Sequence, residues 1–204
     1  MNGDFVNNTK KIVALLGAGL LIVLTGCSNS NSAATIGKTE IPTATVQGTI
    51  NDILKERTKV DTKGMNLVTG VELNTNAIRF HVVSVLFDDV AEKIKMKVTD
   101  AEIAARRKTI LEQIGSEKEL PTALVNAQIA QKDFPRYIRT ILIAEKLGNA
   151  MQAQGDTSTD GSGIAKLLVA MGKEQKVKLN PRYGTWDYDN ANIVPAADNA
   201  TVKK

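Results

Sequence analysis

Residues 74–95 read NTNAIRFHVVSVLFDDVAEKIK, and this stretch decides the class of fold. Its apolar residues recur every three or four positions, which is the spacing of one face of an α-helix. The face is unusually wide. Its main stripe consists of Val83, Leu86, Val90 and Ile94, and three further apolar residues widen it: Ile78, Val82 and Val85. A wide apolar face is typical of a helix that is packed on most sides. We therefore expect a long helix over residues 74–95 at the centre of a helical core.

Signals for further helices flank this central segment. In Val98-Thr99-Asp100-Ala101-Glu102, Thr99 and Glu102 have the spacing of a capping box, and Gly115 is placed to end the helix that follows. Asp133-Phe134-Pro135 predicts another helix start, because proline is well tolerated in a first turn. Helices are also predicted after Pro42, over 117–128 and over 164–175, and residues 55–73 are expected to form a polar connection.

Short extended segments lie near both ends of the chain. Ala33 to Ile36 reads as a strand that leads through a turn at Gly37-Lys38 into the first helix, and residues 176–180 alternate as a second strand. Isolated short strands are marginal, so we expect Thr35-Ile36 to pair with Val177–Leu179. The predicted fold is mostly α, with five to six helices closed by a short two-stranded β pairing between the N- and C-terminal segments.

The N-terminus carries a targeting signal. Lys10 and Lys11 precede an apolar run of about a dozen residues, which fits a signal peptide and falls short of the roughly 20 residues of a membrane span. Leu24-Thr25-Gly26-Cys27 then resembles a bacterial lipobox, in which cleavage occurs before a cysteine whose thiol carries a diacylglycerol. The alternative is an uncleaved anchor helix with an incidental buried cysteine.

The lipobox implies a membrane-anchored protein with four parts. These are a lipoprotein signal peptide (1–26), a tether (27–32), a helical domain (33–190) and a flexible tail (191–204). Two or three acyl chains on Cys27, at about 0.8 kcal/mol per buried methylene, would hold the protein on the membrane. The predicted location is the outer face of the bacterial cytoplasmic membrane, or the periplasmic side in a cell with two membranes.

Composition excludes several classes of site. The 204-residue chain has one Cys, one His and a formal net charge of +4, so it lacks the residues for an internal disulfide or a cysteine-based zinc cluster. No Lys/Arg run is dense enough to predict nucleic-acid binding, and no phosphate loop or nucleophile motif is present. His81 lies in the most apolar helix, away from Asp88 and Asp89, and is expected to be structural. The sequence predicts no enzyme, catalytic residue, metal or cofactor.

Aromatic residues are the remaining candidates for a binding surface. Tyr183, Trp186 and Tyr188 fall within six positions of one another, beside Pro181 and Gly184. One interpretation is a cap that packs across helix ends. The other is that Tyr183 and Trp186 border a binding surface, since such rings offer rigid contact area at little entropic cost.

Several motifs together resemble a known family. The lipobox, the short strand before Ile41-Pro42, the segment Val98-Thr99-Asp100-Ala101-Glu102-Ile103 and the segment Asp133-Phe134-Pro135-Arg136-Tyr137-Ile138-Arg139 resemble, in this order, the N-terminal chaperone region of the SurA/PrsA-like family. The octapeptide Asn180-Pro181-Arg182-Tyr183-Gly184-Thr185-Trp186-Asp187 is similar to the end of small lipoproteins of this group. Full members insert a parvulin-type prolyl isomerase domain after the fifth helix. Here only residues 150–163 separate the fifth and sixth helices. The resemblance therefore implies a chaperone module without the enzyme, in which helices surround an apolar crevice.

The resulting expectation is a membrane-anchored extracytoplasmic chaperone-like protein that binds unfolded or secreted polypeptides without ATP. Its candidate polypeptide-binding residues are Phe80, Phe87, Phe134, Tyr137, Tyr183 and Trp186. The main alternative is an envelope lipoprotein that docks on one native partner protein. A prolyl isomerase and a small-ligand binding protein also remain open.

Overall fold

The computed structural model describes residues 31–155 and 161–195, and within them the chain is mostly helical. The helices are α1 (Thr43–Arg57), α2 (Gly70–Lys93), α3 (Asp100–Ile114), α4 (Leu120–Ala127), α5 (Phe134–Ala153) and α6 (Ser162–Glu174). The strands are β1 (Ser32–Ile36), β2 (Thr39–Pro42), β3 (Lys178–Leu179), β4 (Thr185–Asp187) and β5 (Asn192–Val194). The predicted mostly-α fold with short β pairing is confirmed.

The predicted pairing between the two ends of the chain is present in the larger of two antiparallel sheets. Strand β1 pairs with β3 through Ala34 opposite Leu179 and Thr35 opposite Lys178. The sheet also contains β2, which lies on the other side of β1 and forms a hairpin with it. We expected 39–42 to lead directly into a helix. It is a strand instead, because Gly37 adopts a φ of +55° and turns the chain back.

A second small sheet corrects the predicted C-terminal boundary. Strands β4 and β5 pair antiparallel, with Trp186 opposite Ile193. Ala191 and Ile193 are buried in the core, so residues 191–194 belong to the fold and not to the flexible tail predicted over 191–204. Residues 196–204 lie outside the described part of the chain, as do the predicted signal peptide and Cys27.

Helix α2 lies at the centre of the main core, as its sequence predicts. Twelve of its residues are buried, and Ile78, Val82 and Leu86 are completely inaccessible to solvent. Helices α1 and α6, both sheets and the second half of α5 pack around it. The helix begins at Gly70, four residues earlier than predicted, which shortens the connection after α1 to residues 58–69.

Helix α3 belongs to a smaller second core on one flank. Leu120, Leu124, Phe134, Ile138 and Leu142 form this flank core, and α3 covers it with half-buried side chains only. The predicted capping box is present. Thr99 Oγ1 accepts the Glu102 N–H at 3.2 Å, and Glu102 Oε2 accepts the Thr99 N–H at 2.8 Å. Gly115, with a φ of +103°, ends the helix as predicted.

Three ion pairs fix α3 to its surroundings. Arg106 pairs with Glu145 on α5, and Arg107 pairs with Glu117. Lys146 on α5 reaches Glu102 at 2.6 Å. This contact and the Thr99 N–H lower the pKa of Glu102 to about 2, because both stabilise its ionised form.

Across residues 31–155 and 161–195, no helix combines the length and the hydropathy that crossing a bilayer requires.

Candidate binding cleft

A cleft of about 440 Å³ lies where the main core meets the flank core. Helices α1 and α2 provide one side, and the segment from the end of α4 to the first half of α5 provides the other. Leu168 of α6 and Ala191 also line it. Because both cores contribute to its walls, the relative packing of the two cores determines the shape of the cleft.

The walls of the cleft are largely apolar. Phe80 and Tyr137, both half-buried, contribute aromatic surface from α2 and α5. Further apolar surface comes from Ile53, Leu73, Val83, Ile129 and Ile141. A cleft of this volume, lined mainly by apolar groups with a few polar ones, is typical of a ligand-binding site.

A chain of hydrogen bonds crosses one side of the cleft. Thr49 Oγ1 donates to Asp133 Oδ2 at 2.6 Å and lies 2.9 Å from His81 Nε2. A hydroxyl has one proton to donate, and an ionised carboxylate is only an acceptor. His81 Nε2 therefore carries a hydrogen and donates it to Thr49. Thr49 and Asp133 line the cleft, whereas His81 is buried behind them.

His81 is neutral at ordinary pH. Burial lowers its pKa to about 4 from the usual 6.5, since the charged ring would lose its hydration. Asp133 opposes this effect, and Arg136 and Lys132 add to it. Phe80 meets the imidazole edge to face, with ring centroids 5.1 Å apart. His81 thus acts as a fixed hydrogen-bond donor, in agreement with its predicted structural role.

Other polar groups at the cleft are available to a ligand. Gln128 Oε1 accepts hydrogen bonds from Arg57 Nη2 at 3.1 Å and from the Val68 N–H at 3.0 Å. Its amide NH₂ has no partner in the described part of the chain. Arg79 also lines the cleft and is exposed, and within residues 31–155 and 161–195 its side chain forms no hydrogen bond or ion pair. The cleft therefore offers hydrogen-bond donors beside its apolar walls.

The six aromatic residues predicted to bind polypeptides separate into two groups. Phe80 and Tyr137 line the cleft. The other four are buried, each no more than 5% exposed, and cannot contact a polypeptide without a change in the fold: Phe87, Phe134, Tyr183 and Trp186. The interpretation of the C-terminal aromatics as a cap is the one that agrees with the structure. Trp186 packs against Gly172 of α6, and the Tyr183 hydroxyl accepts from Gln47 Nε2 at 3.1 Å.

The polar side of the cleft was not predicted from sequence. Thr49, His81 and Asp133 come from α1, α2 and the turn before α5, so no local motif connects them. A possible signal was Asp133 itself, a carboxylate directly before Phe134-Pro135, but that position is equally typical of helix capping. Among the described residues, no cluster of three or more His, Cys, Asp or Glu side chains is arranged to hold a metal ion.

Comparison of the chain with protein-family models, with curated proteins and with solved structures finds no match. The resemblance to the SurA/PrsA-like family stays a prediction from the motifs in the sequence.

Proposed function

We propose that the mature protein is a lipid-anchored extracytoplasmic chaperone-like protein whose cleft binds short, extended segments of unfolded or secreted polypeptides without ATP. The lipobox at Cys27 supports the anchor and the location, and the cleft between the two cores supports the binding activity.

The observation that carries the proposal is the combination of groups in the cleft. Aromatic and aliphatic walls lie beside the Asp133 carboxylate, whose Oδ1 has no partner in the described part of the chain, and beside donors on Gln128 and Arg79. A polypeptide presents apolar side chains together with N–H and C=O groups, so it can satisfy both. A purely hydrocarbon ligand would bury polar groups without partners, at a cost of about 1–3 kcal/mol each.

The size of the cleft indicates weak and brief binding. It holds about two large side chains, each of which contributes roughly 1.5–3 kcal/mol when fully buried. Together they contribute about 3–6 kcal/mol, which corresponds to a dissociation constant between about 6 mM and about 40 μM. Weak binding agrees with a protein that must release its clients without ATP, and a membrane anchor would raise the local protein concentration where clients emerge.

The test asks whether the protein still suppresses the aggregation of an unfolded client when a substituted side chain fills its cleft. Ala127 is exposed at the end of α4 and lines the cleft, so Ala127→Trp is expected to occupy it. Asn126→Trp is the matched control, because Asn126 is exposed on the same helix and does not line the cleft. The full chain, reconstituted in nanodiscs, is added to an unfolded secreted protein while light scattering is followed.

We expect the unaltered chain and Asn126→Trp to suppress scattering when present in large molar excess over the client, as weak binding requires, and Ala127→Trp to lose most of this effect. Circular dichroism and the denaturation midpoint establish that both variants are folded. Equal suppression by both variants would exclude the cleft as the site. If the chain shows no suppression but saturable 1:1 binding to one native envelope protein, the docking lipoprotein is the better interpretation.

A further inference from the structure

Asp133 occupies a helix N-terminus without capping it. It directly precedes α5, yet its side chain accepts no hydrogen bond from the first N–H groups of that helix. Asp133 has α-helical backbone angles there, because it also ends the 3₁₀ turn Gln131–Asp133, whereas a capping residue is normally extended. The carboxylate is instead directed to Thr49 and lines the cleft.

The carboxylate is held in one orientation with one oxygen unused. Thr49 donates to Oδ2, and His81 fixes Thr49 from behind. Oδ1 has no hydrogen-bond partner within residues 31–155 and 161–195. An ionised carboxylate can accept about four hydrogen bonds, so much of its capacity is available to a ligand.

The basic side chains near Asp133 have other partners. Lys132, the preceding residue, pairs with Asp52 at 2.7 Å. Arg136, one turn further along α5, reaches Asp88 at 3.5 Å and shares this carboxylate with Arg139, which lies 2.8 Å from it. Arg79 lines the same cleft but is exposed, whereas Asp133 is half-buried. Charge interactions are stronger where water is partly excluded, so a cation close to the half-buried Asp133 carboxylate is attracted more strongly than it would be by an exposed one.

We infer that the cleft selects polypeptide segments in which a Lys or Arg lies next to a large apolar residue. The apolar side chain lies against Phe80 and Tyr137, and the basic side chain pairs with Asp133 Oδ1. The two aromatic rings also favour a nearby cation. This inference rests on the proposed function, since it names the class of segment that the same cleft takes.

The experiment compares three fluorescent peptides that share a Leu-Phe-Leu core and differ only in a flanking Lys, Gln or Glu. Binding to the full chain in nanodiscs of neutral lipid is followed by fluorescence anisotropy, with empty nanodiscs as the blank. We expect the Lys peptide to bind about tenfold more tightly than the Gln peptide, as a charge-assisted hydrogen bond in a partly dry site allows, and the Glu peptide to bind most weakly.

Asp133→Asn identifies the group responsible. This substitution keeps an oxygen for the Thr49 hydroxyl and removes the charge. The ratio of the binding affinities of the Lys and Gln peptides is therefore expected to fall to about one. Glu112→Gln is the control, because Glu112 is an exposed carboxylate on α3 outside the cleft. It should leave the ratio unchanged.

Equal binding of the Lys and Gln peptides would overturn the inference while leaving the proposed function standing. A Lys preference that persists in Asp133→Asn would also overturn it. A preference for the Glu peptide that Arg79→Gln abolishes would assign selection to Arg79 and reverse its sign. If none of the three peptides binds, the proposed function fails together with the inference.

Discussion

Helices α2 and α3 are stabilised in opposite ways. Twelve of the 24 residues of α2 are buried, whereas none of the 15 residues of α3 is. Helix α3 relies on its capping box, on Gly115 and on the ion pairs to Glu117, Glu145 and Lys146. The main core is therefore stabilised mainly by burial, which depends little on salt. The flank depends more on local and charged contacts, which are individually weak.

The largest expected effect comes from removing buried surface in the main core. Leu86 is completely buried in α2, so Leu86→Ala should lower the free energy of unfolding by about 3 kcal/mol through lost transfer energy and a residual cavity. Leu111→Ala is the matched change in α3, where the side chain is half-buried, and should cost about 1 kcal/mol. Denaturant titrations of both variants provide the measurement. Equal losses would contradict the difference between the two cores.

Acid is expected to lower the free energy of unfolding by an intermediate amount. The pH range of this loss differs between the main core and the flank core. The folded-state pKa of His81 is about 4 against 6.5 when unfolded, so the unfolded chain binds a proton more readily. Its neutral form stabilises the fold fully above about pH 6.5, and this contribution is lost as the pH falls towards 4. We expect the contribution of His81 to the free energy of unfolding to fall by about 2 kcal/mol between about pH 8 and pH 5.

His81→Gln should flatten this pH dependence, because the Gln amide can still donate to Thr49 and does not titrate in this range. The pKa values of Glu56 and Asp89 are raised by burial and act in the opposite direction in both proteins, so the difference between the two curves isolates His81. Glu102 has a lowered pKa, so its contribution to the flank is present above about 4.5 and is lost only as the pH falls towards 2. Parallel curves for the two proteins would exclude His81 as the source.

The smallest expected effect is confined to the flank. Thr99→Ala removes the hydroxyl of the capping box and should cost about 1 kcal/mol. Amide hydrogen exchange is the sensitive measurement: protection in α3 should fall about fivefold, while protection in α2 stays the same. Thr109→Ala is the control, since Thr109 is exposed in the middle of α3. Loss of protection in α2 as well would mean that the two cores open as one unit.

The sequence predicted those parts of the fold that depend on local patterns. Helix α2 followed from its apolar spacing, and α3 from Thr99, Glu102 and Gly115. Strands β2, β4 and β5 were missed because three or four residues carry too little periodicity to be distinguished from a turn or a tail. The pairing of β1 with β3 was predicted because a strand at each end needed a partner.

The candidate site was less accessible to sequence analysis. An aromatic residue type indicates neither burial nor exposure, so Phe80 and Tyr137 could not be separated from Phe87 and Trp186 before the packing was known. The contacts among Thr49, His81 and Asp133 join three distant segments. Their proximity follows from how α1, α2 and α5 pack together, which no short window of the sequence contains.

The pairing of β1 with β3 also affects when the chain can fold. A ribosome makes the N-terminal residues first, so Ala34 in β1 can pair with Leu179 in β3 only after most of the chain has been synthesised. The larger of the two sheets cannot be complete before then. Contacts between residues so far apart in sequence form slowly, so this sheet is completed late, after helices α1 to α6 have been synthesised.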